Sequence, residues 1–268
     1  MKKERLDEAL VRLQYADTLE LARAIIMEGR VFQNGNRLDK PAILLATDAG
    51  LTVKGDKLPY VSRGGLKLEK AMSAFALELD GAVCLDVGSS TGGFTDCMLQ
   101  KGAQRVFSID VGWGLLDWKL RNDPRVTVLE RTNARTLSPE LLGGHLADFA
   151  SMDVSFISIR TVLPAVCTCL KDGAQLAVLV KPQFEARREQ VGKGGIVRDP
   201  QVHREVLETV IAAMPAMGLA PWGLTVSPIK GVGGNTEFLL HLIHTQDVNP
   251  AFDAQKAIDD VLNSCIKS

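Results

Sequence analysis

The sequence lacks a long apolar run, cysteine pairs at metal-binding spacing and an excess of charge of either sign. No segment approaches the ~20 consecutive apolar residues of a membrane-spanning helix, and the first residues lack the apolar stretch of a signal segment. The five cysteines are odd in number and mostly sit in apolar segments, which predicts buried free thiols and no metal site. We therefore expect a cytoplasmic protein that does not insert into membranes.

The composition is that of a globular protein whose charge is unevenly distributed. Of 268 residues, 46% are hydrophobic and 24% are charged, which excludes a disordered, collagen-like or coiled-coil chain. The net charge of −1 by itself argues against a nucleic-acid partner. Residues 1–67, however, hold twelve basic and nine acidic side chains, and the remainder holds 19 and 23, so the two parts carry +3 and −4. The basic charge is concentrated at the front of the chain.

Two short helices and a hairpin are predicted in that basic front segment. Leu6, Ala9 and Leu10 recur at helical spacing, a second apolar run ends at Gly29, and Asn34-Gly35 favours a tight hairpin turn. This order resembles the S4-like RNA-binding domain, over residues 1–54. The resemblance implies that four arginines contact RNA phosphates: Arg5, Arg12, Arg23 and Arg30. A merely solvated basic face is the alternative.

After a linker at 55–61, alternating strands and helices predict a doubly wound α/β domain at 62–246 and a helical tail at 247–268. Strands are expected at 82–87, 105–110, 126–130, 147–154, 174–180, 223–226 and 237–244, and helices include 115–121 and 157–170. The last two strands lack a helix between them and should pair as a hairpin. The fold class is therefore a Rossmann-like, mostly parallel seven-stranded sheet with one antiparallel strand.

A glycine-rich turn at 86–94 follows the first strand of that domain. Its glycine spacing does not match the dinucleotide fingerprint, and no Lys-Ser/Thr pair follows to make a phosphate-binding P-loop. Together with an acid at the end of the second strand, the turn resembles the S-adenosylmethionine site of Rossmann-like methyltransferases. The implied contacts are Asp86, Gly88, Ser89, Gly92, Gly93, Phe94, Asp110 and Asn133. Asp86 has an alternative role as a cap of the next helix.

The segment after the fourth strand narrows the group that would be methylated. Ser151 to Phe156 contains neither the Asn/Asp-Pro-Pro-aromatic motif of exocyclic amine methylation nor the Cys beside Pro of cytosine carbon methylation. A sugar hydroxyl remains a good candidate for the methylated group. Because the pKa of such a hydroxyl is high, its attack on the methyl group requires a base. Lys181 ends a buried strand, where an ammonium group needs a partner or must lose its charge, so it is a candidate for that base.

Six motifs spread over nearly the whole chain resemble the TlyA, or hemolysin A, family, at residues 62–68, 86–94, 153–158, 181–185, 194–199 and 233–237. That family joins an S4-like domain to an FtsJ-like ribose methyltransferase domain. The resemblance implies a catalytic tetrad of Lys67, Asp153, Lys181 and Glu237, and a ribosomal RNA substrate that is methylated on the ribose 2′-hydroxyl of cytidine. Ribosomal RNA or ribosomal subunits are the implied partners.

Further side chains are candidates for RNA contact, and two other functions stay open. Arg63 lies in the segment that begins the larger domain. Lys193 lies in a glycine-rich segment at 190–195 that is expected to form a mobile loop over the substrate, and Arg198 follows it; a plain flexible loop is the alternative. Of the three tryptophans, at least two are expected in the core. The alternatives to an enzyme are a hemolysin that acts on membranes and a non-catalytic factor that binds RNA or ribosomes.

Overall fold

Two units make up the chain in the computed structural model, Met1–Ser62 and Arg63–Ser268. The structure describes residues 3–13, 15–16, 18–46, 50–54 and 59–266, and of these the side chains of Val232 and Ile266 are left out. Most of the predicted linker, residues 55–58, lies outside the described residues.

Where the structure describes it, the first unit contains two helices and five three-residue strands. In chain order they are β1 Lys3–Arg5, α1 Leu6–Arg12, α2 Leu19–Met27, β2 Val31–Gln33, β3 Asn36–Leu38, β4 Leu44–Ala46 and β5 Leu51–Val53. Strands β1 and β4 pair antiparallel, and β3, β2 and β5 form an antiparallel sheet in that order. The described strands and helices are held together by a core that includes Leu6, Leu10, Ile26 and Val31.

The predicted hairpin turn connects β2 to β3. Asn34 and Gly35 have φ angles of 50° and 82°, the two positive values that a two-residue turn matching the twist of its strands requires. The predicted turn is confirmed. Arg5 ends β1 and occupies the N-cap position of α1, where its side chain makes no capping hydrogen bond.

In the described part of the second unit there are seven strands and seven α-helices, besides several short 3-10 turns. They are α3 Gly64–Phe75, β6 Val83–Val87, α4 Gly93–Gln100, β7 Arg105–Ile109, α5 Trp118–Arg121, β8 Val126–Leu129, β9 Ala147–Met152, α6 Ile159–Cys167, β10 Leu170–Val180, α7 Pro182–Glu185, α8 Pro200–Ala213, β11 Leu219–Val226, β12 Phe238–His244 and α9 Ala254–Ile266.

These seven strands form one sheet in the order β11-β12-β10-β9-β6-β7-β8. Strand β12 is antiparallel to both of its neighbours, and the other pairs from β10 to β8 are parallel, which confirms the predicted fold class. The central strands are apolar on both faces, as expected where helices cover both sides. The chain runs outward from β6 through β7 to β8 and then returns to β9 on the other side of β6. Ligands bind at such a switch point, beyond the carboxyl ends of the strands.

Several expected boundaries differ from the structure. Strand β10 begins at Leu170 because an irregularity between Leu170 and Gln175, with Gly173 at φ 78°, lets the strand continue past the expected break. Helix α5 begins only at Trp118, where Asp117 caps it. Ile258, Val261 and Leu262 of α9 are buried in the main core, so the predicted tail packs as part of this unit.

The prediction that at least two tryptophans lie in the core is wrong. The exposed fractions of Trp113, Trp118 and Trp222 are 68%, 72% and 46%. Apolar side chains of Val, Leu, Ile and Phe fill the core of this unit without them. The prediction of buried free thiols is confirmed for four of the five cysteines. The fifth, Cys265, is free but half-buried.

Candidate active site

Polar side chains converge at the carboxyl edge of the large sheet. Asp153 follows β9 and Lys181 follows β10, while Glu237 precedes β12. Because β12 is antiparallel, its beginning lies at the edge where the parallel strands end. The fourth side chain, Lys67, comes from α3. Strand direction therefore explains how residues far apart in sequence meet at this edge.

The structure brings all four members of the expected tetrad into contact. Lys67 Nζ lies 2.7 Å from Glu237 Oε2 and 3.1 Å from Asp153 Oδ2. Lys181 Nζ lies 2.5 Å from Asp153 Oδ1, in an ion pair that is not aligned as a hydrogen bond, and donates to Ser155 Oγ at 3.1 Å. Asp153 is thus shared by both lysines, and Lys67 is shared by both carboxylates.

Opposite charges offset the burial of this cluster. The exposed fractions of Lys67, Lys181 and Glu237 are 8%, 7% and 3%. Burial by itself favours the neutral amine of Lys67, but the charges of Asp153 and Glu237 outweigh it, so the pKa of Lys67 is raised. Burial likewise favours the protonated acid at Asp153, but Lys67 and Lys181 outweigh it and lower the pKa of that carboxyl. Lys67 is a permanent cation at neutral pH, and Asp153 is a permanent anion.

A cavity of about 430 Å³ adjoins the cluster at the switch point, and Asp153 lines it. Gly88, Asp110 and Asn133, all expected at the cofactor site, also line it. Its other walls are formed by Ser90, Ile109, Val111, Leu115, Thr132, Ala134, Arg135, Val154, Ser155, Phe156, Ile157 and Val162. A second cavity of similar volume lies beside β11 and α9, where its lining includes none of the four tetrad residues.

Gly88 lets the backbone of the first turn come close to the backbone of Asp153, which follows the neighbouring strand β9. Its φ is +87°, and a Cβ atom at this position would lie 2.6 Å from the carbonyl oxygen of Asp153. Such a contact is too short for any side chain, so only glycine is compatible with this turn. The turn also donates the Gly88 amide to the Ile109 carbonyl at 2.8 Å.

Asp110 presents a half-buried carboxylate at the end of β7. Its Oδ2 accepts from the Ser90 amide and its Oδ1 from the Gly112 amide, both at 2.7 Å. Two backbone donors fix the orientation of the group, and each oxygen keeps a second lone pair for a hydroxyl donor. Asn133 is exposed, and its side-chain oxygen accepts from the Arg135 amide at 3.1 Å.

The other residues of the glycine-rich turn that were predicted to contact the cofactor do not line the cavity. Asp86 is fully buried, and its carboxylate accepts from the amide and hydroxyl of Thr95 at 2.9 and 2.6 Å and from Ser151 Oγ at 3.2 Å. Burial raises its pKa to about 6. The Thr95 amide lies in the first turn of α4, so the alternative role as a helix cap is the one observed. Ser89, Gly93 and Phe94 are buried, and Gly92, at φ 93°, precedes α4.

Acidic side chains hold the four arginines expected to bind RNA. Arg5 and Arg23 both pair with the buried Asp7, at 2.8 and 2.9 Å. The hydrogen bond from Arg5, helped by Arg23, holds the pKa of Asp7 well below its usual range. Arg12 pairs with Glu4, yet its side chain stays 46% exposed. These three arginines are oriented by their partners and still reach solvent.

Arg30 differs from the other three arginines. Its side chain is only 17% exposed and donates to the Lys54 carbonyl at 2.7 Å, which links it to the residue following β5. Arg30 therefore helps to hold the first unit together, and its contact with RNA stays a prediction. The sequence pattern could not separate it from the others, because charge and spacing do not reveal a carbonyl partner 24 positions away.

In the second unit, Arg63 is half-buried immediately before α3, whereas Lys193 and Arg198 are exposed. The segment that carries Lys193 is predicted to be a mobile loop, and in the structure it is hydrogen-bonded to Asn235. The Asn235 side chain donates to the Gly195 carbonyl at 2.9 Å and accepts from the Val197 amide at 3.0 Å. Two glycine-rich segments are thus joined next to Glu237.

Three residues of this region carry no assignment from the sequence. Ser155 accepts from Lys181, which its position two residues after Asp153 could have suggested. Phe156 is 90% exposed at φ 63°, a left-handed conformation that is uncommon for a residue other than glycine. Glu185 is buried and contacts the start of α6. No local sequence signal indicates the conformation of Phe156 or the partners of Glu185.

Among the described residues, no helix is long and apolar enough to cross a membrane. Nor do the residues that the structure describes contain a group of three or more His, Cys, Asp or Glu side chains arranged to hold a metal ion.

The family model for FtsJ-like methyltransferases matches residues 60–244, and the model for S4 domains matches residues 4–51. The candidate rRNA methyltransferase YqxC of Bacillus subtilis is 54% identical over 241 residues, which cover 90% of this chain and 86% of YqxC. The 16S/23S rRNA (cytidine-2′-O)-methyltransferase TlyA of Mycobacterium tuberculosis is 44% identical over 266 residues, covering 99% of this chain and 98% of its own. A solved structure of a candidate hemolysin from Streptococcus thermophilus has a TM-score of 0.80 at 46% identity and covers 100% of this chain and 97% of that one.

Proposed function

The chain belongs to the FtsJ-like methyltransferase family and carries an S4 domain at its front, and on that premise we propose that it methylates the ribose 2′-hydroxyl of a cytidine in ribosomal RNA. One observation carries this proposal: Asp153 both lines the cavity and pairs with the two lysines. A cofactor in the cavity and a hydroxyl beside the lysines would therefore meet at Asp153.

The residues around the cavity fit S-adenosylmethionine, which supplies an electrophilic methyl group on a positively charged sulfur. Ile109, Val111 and Leu115 offer apolar walls for a purine, and the carboxylate of Asp110 can accept hydrogen bonds from ribose hydroxyls. Gly88 lines the cavity and, because it lacks a Cβ, lets the turn pack against the backbone of Asp153, which lines the same cavity.

Lys181 is our candidate for the group that takes the proton from the attacking hydroxyl. Its amine is buried at the end of β10 and contacts Asp153 and Ser155. Lys67 contacts the same carboxylate, so Asp153 does not pair with Lys181 alone. Glu237 keeps Lys67 charged and fixed. A base positioned in this way contributes about 10²- to 10⁴-fold to a rate.

The first unit supports RNA as the substrate. The S4 match covers the segment in which Arg5, Arg12 and Arg23 are partly exposed and oriented by acids. The relative from M. tuberculosis is named for methylation of both 16S and 23S rRNA, so either ribosomal subunit is a candidate partner here. A ribosomal substrate also implies that the protein works in the cytoplasm.

The test is to incubate the protein with labelled S-adenosylmethionine and purified ribosomal subunits and to map the modified ribose by blocked reverse transcription. We expect Lys181→Ala to lower kcat by about 10²- to 10⁴-fold while cofactor binding, measured by calorimetry, is unchanged. Lys171→Ala is the matched control, because Lys171 is an exposed lysine near the start of the same strand.

Three outcomes would contradict the proposal. Full activity of Lys181→Ala would exclude that lysine as the base. Label on a base atom, and not on a ribose, would exclude 2′-hydroxyl chemistry. Binding of RNA and cofactor by the wild-type protein without methyl transfer would favour the non-catalytic RNA-binding alternative.

A further inference from the structure

Glu185 is a buried carboxylate for which the proposed chemistry has no role. It ends α7, four residues after Lys181, and its side chain is only 1% exposed. Its Oε2 accepts from Ser158 Oγ and its Oε1 from the Ile159 amide, both at 2.7 Å, and Arg160 Nε lies 3.4 Å away. All three donors belong to the junction between the loop after β9 and helix α6.

That loop, residues 153–158, carries the groups that face Lys181. At its start Asp153 lies 2.5 Å from Lys181 Nζ, and two residues later Ser155 accepts from the same amine. Phe156 then packs against Phe184, with ring centroids 5.1 Å apart. The loop and the 181–185 segment therefore contact each other along their length, and Glu185 closes the far end.

The loop needs such an anchor because its backbone is strained. Phe156 has a φ of 63° and is 90% exposed, so its contact with Phe184 covers little of it and cannot by itself hold this conformation. A strained residue persists only when its surroundings hold it in place. The two oxygens of Glu185 take separate donors on consecutive residues, which fixes both the position and the orientation of the end of the loop.

We propose that Glu185 is a positioning residue that clamps this loop so that Asp153 and Ser155 face Lys181, an inference that rests on the proposed function. Glu185 does not act on substrate or cofactor directly, because it lines a different cavity, with Arg160 and Gln190. Its effect on the reaction passes through the loop.

The experiment compares Glu185→Ala, Glu185→Gln and Ser158→Ala in the full chain. Glu185→Ala should lower kcat on ribosomal subunits by about ten- to a hundredfold, the cost of a displacement near 1 Å, without changing cofactor affinity. Glu185→Gln should recover most of that loss, because its amide oxygen still accepts from Ile159 and the Ser158 hydroxyl can turn to accept. The double variant Glu185→Ala/Ser158→Ala should be no worse than the more damaging single one.

A purely structural role is distinguished by the contrast between kcat and cofactor affinity. If the loop moves, Asp153 and Ser155 no longer face Lys181, so kcat should fall in Glu185→Ala while the Kd for S-adenosylmethionine, measured by calorimetry, stays unchanged. Glu205→Gln is the matched control, because Glu205 lines the same cavity and accepts from Gln190 but does not contact the loop.

Hydrogen exchange keeps the clamp testable apart from activity. Exchange at residues 153–159 should accelerate in Glu185→Ala and stay unchanged in Glu205→Gln. Unchanged exchange there, or wild-type kcat in Glu185→Ala, would overturn the clamp. A wild-type protein that does not methylate ribosomal RNA would instead overturn the proposed function, and the exchange result would still decide whether Glu185 holds the loop.

Discussion

Lys67 is the cation that allows two buried carboxylates to coexist at the sheet edge. Its Nζ lies 2.7 Å from Glu237 Oε2 and 3.1 Å from Asp153 Oδ2. Methionine has a similar length and no charge, so Lys67→Met would leave the two carboxylates facing each other. In the described part of the chain, Asp153 would keep Lys181 as a cationic partner, whereas Glu237 would lose the lysine with which it pairs.

The size of the effect follows from the distance between the two acids. Because both oxygens contact one nitrogen, they are at most about 6 Å apart, where two like charges repel by about 3 kcal/mol at an effective dielectric constant near 20. The repulsion would raise the pKa of one of these carboxyl groups in the folded variant, because protonation of one acid removes it. The folded variant would then bind more protons than the unfolded chain at mildly acidic pH, so the loss of stability should be smaller at pH 5 than at pH 8.

Urea unfolding of the wild type and Lys67→Met at several pH values between 5 and 8 measures this difference. The double variant Lys67→Met/Glu237→Gln removes the repulsion and should lose the pH-dependent part of the destabilisation. Lys70→Met is the control for charge loss on the exposed side of the same helix. An equal loss of stability at pH 5 and pH 8 would refute the role of Lys67 as the shared counterion.

Two further predictions concern residues whose role the structure changed or refined. Burial raises the pKa of Asp86 to about 6, so stability should rise as the pH falls through 6, and Asp86→Asn should stabilise the protein at pH 8 by up to about 3 kcal/mol and by about half as much at pH 5. Urea unfolding at the two pH values measures this difference, which should come without a change in cofactor affinity; equal differences at both values would contradict it. Arg12→Gln should weaken ribosomal RNA binding and lower the slope of log affinity against log salt by about one, because Arg12 is half-exposed. Arg30 serves as the control because it is less exposed and donates to a carbonyl, so Arg30→Gln should leave the slope unchanged. Filter binding measures both slopes, and equal slopes for the two variants would contradict the difference drawn between Arg12 and Arg30.

The parts of the fold that depend on local pattern were predictable. The Asn34-Gly35 turn needs two positive φ angles that these residue types tolerate, and the structure has them. Apolar runs bounded by turn residues identified the seven strands, and the missing helix between the last two identified the antiparallel one. Strand β10 was predicted too short because its irregularity at Gly173 looks like a turn when only neighbouring residues are considered.

The sequence by itself determined the fold class, the family and the identity of the residues now found at the sheet edge, because apolar periodicity and motif spacing are local properties of the chain. Only the tertiary structure decided what those residues contact. In the folded chain Asp86 accepts from Thr95, Arg30 donates to a backbone carbonyl, and all three tryptophans lie at the surface. The tertiary structure also brings Glu185 to the loop that carries Asp153. Partners far apart in the sequence are chosen by strand order and by the need to pair buried charges, and neither is set by the residues adjacent in the chain.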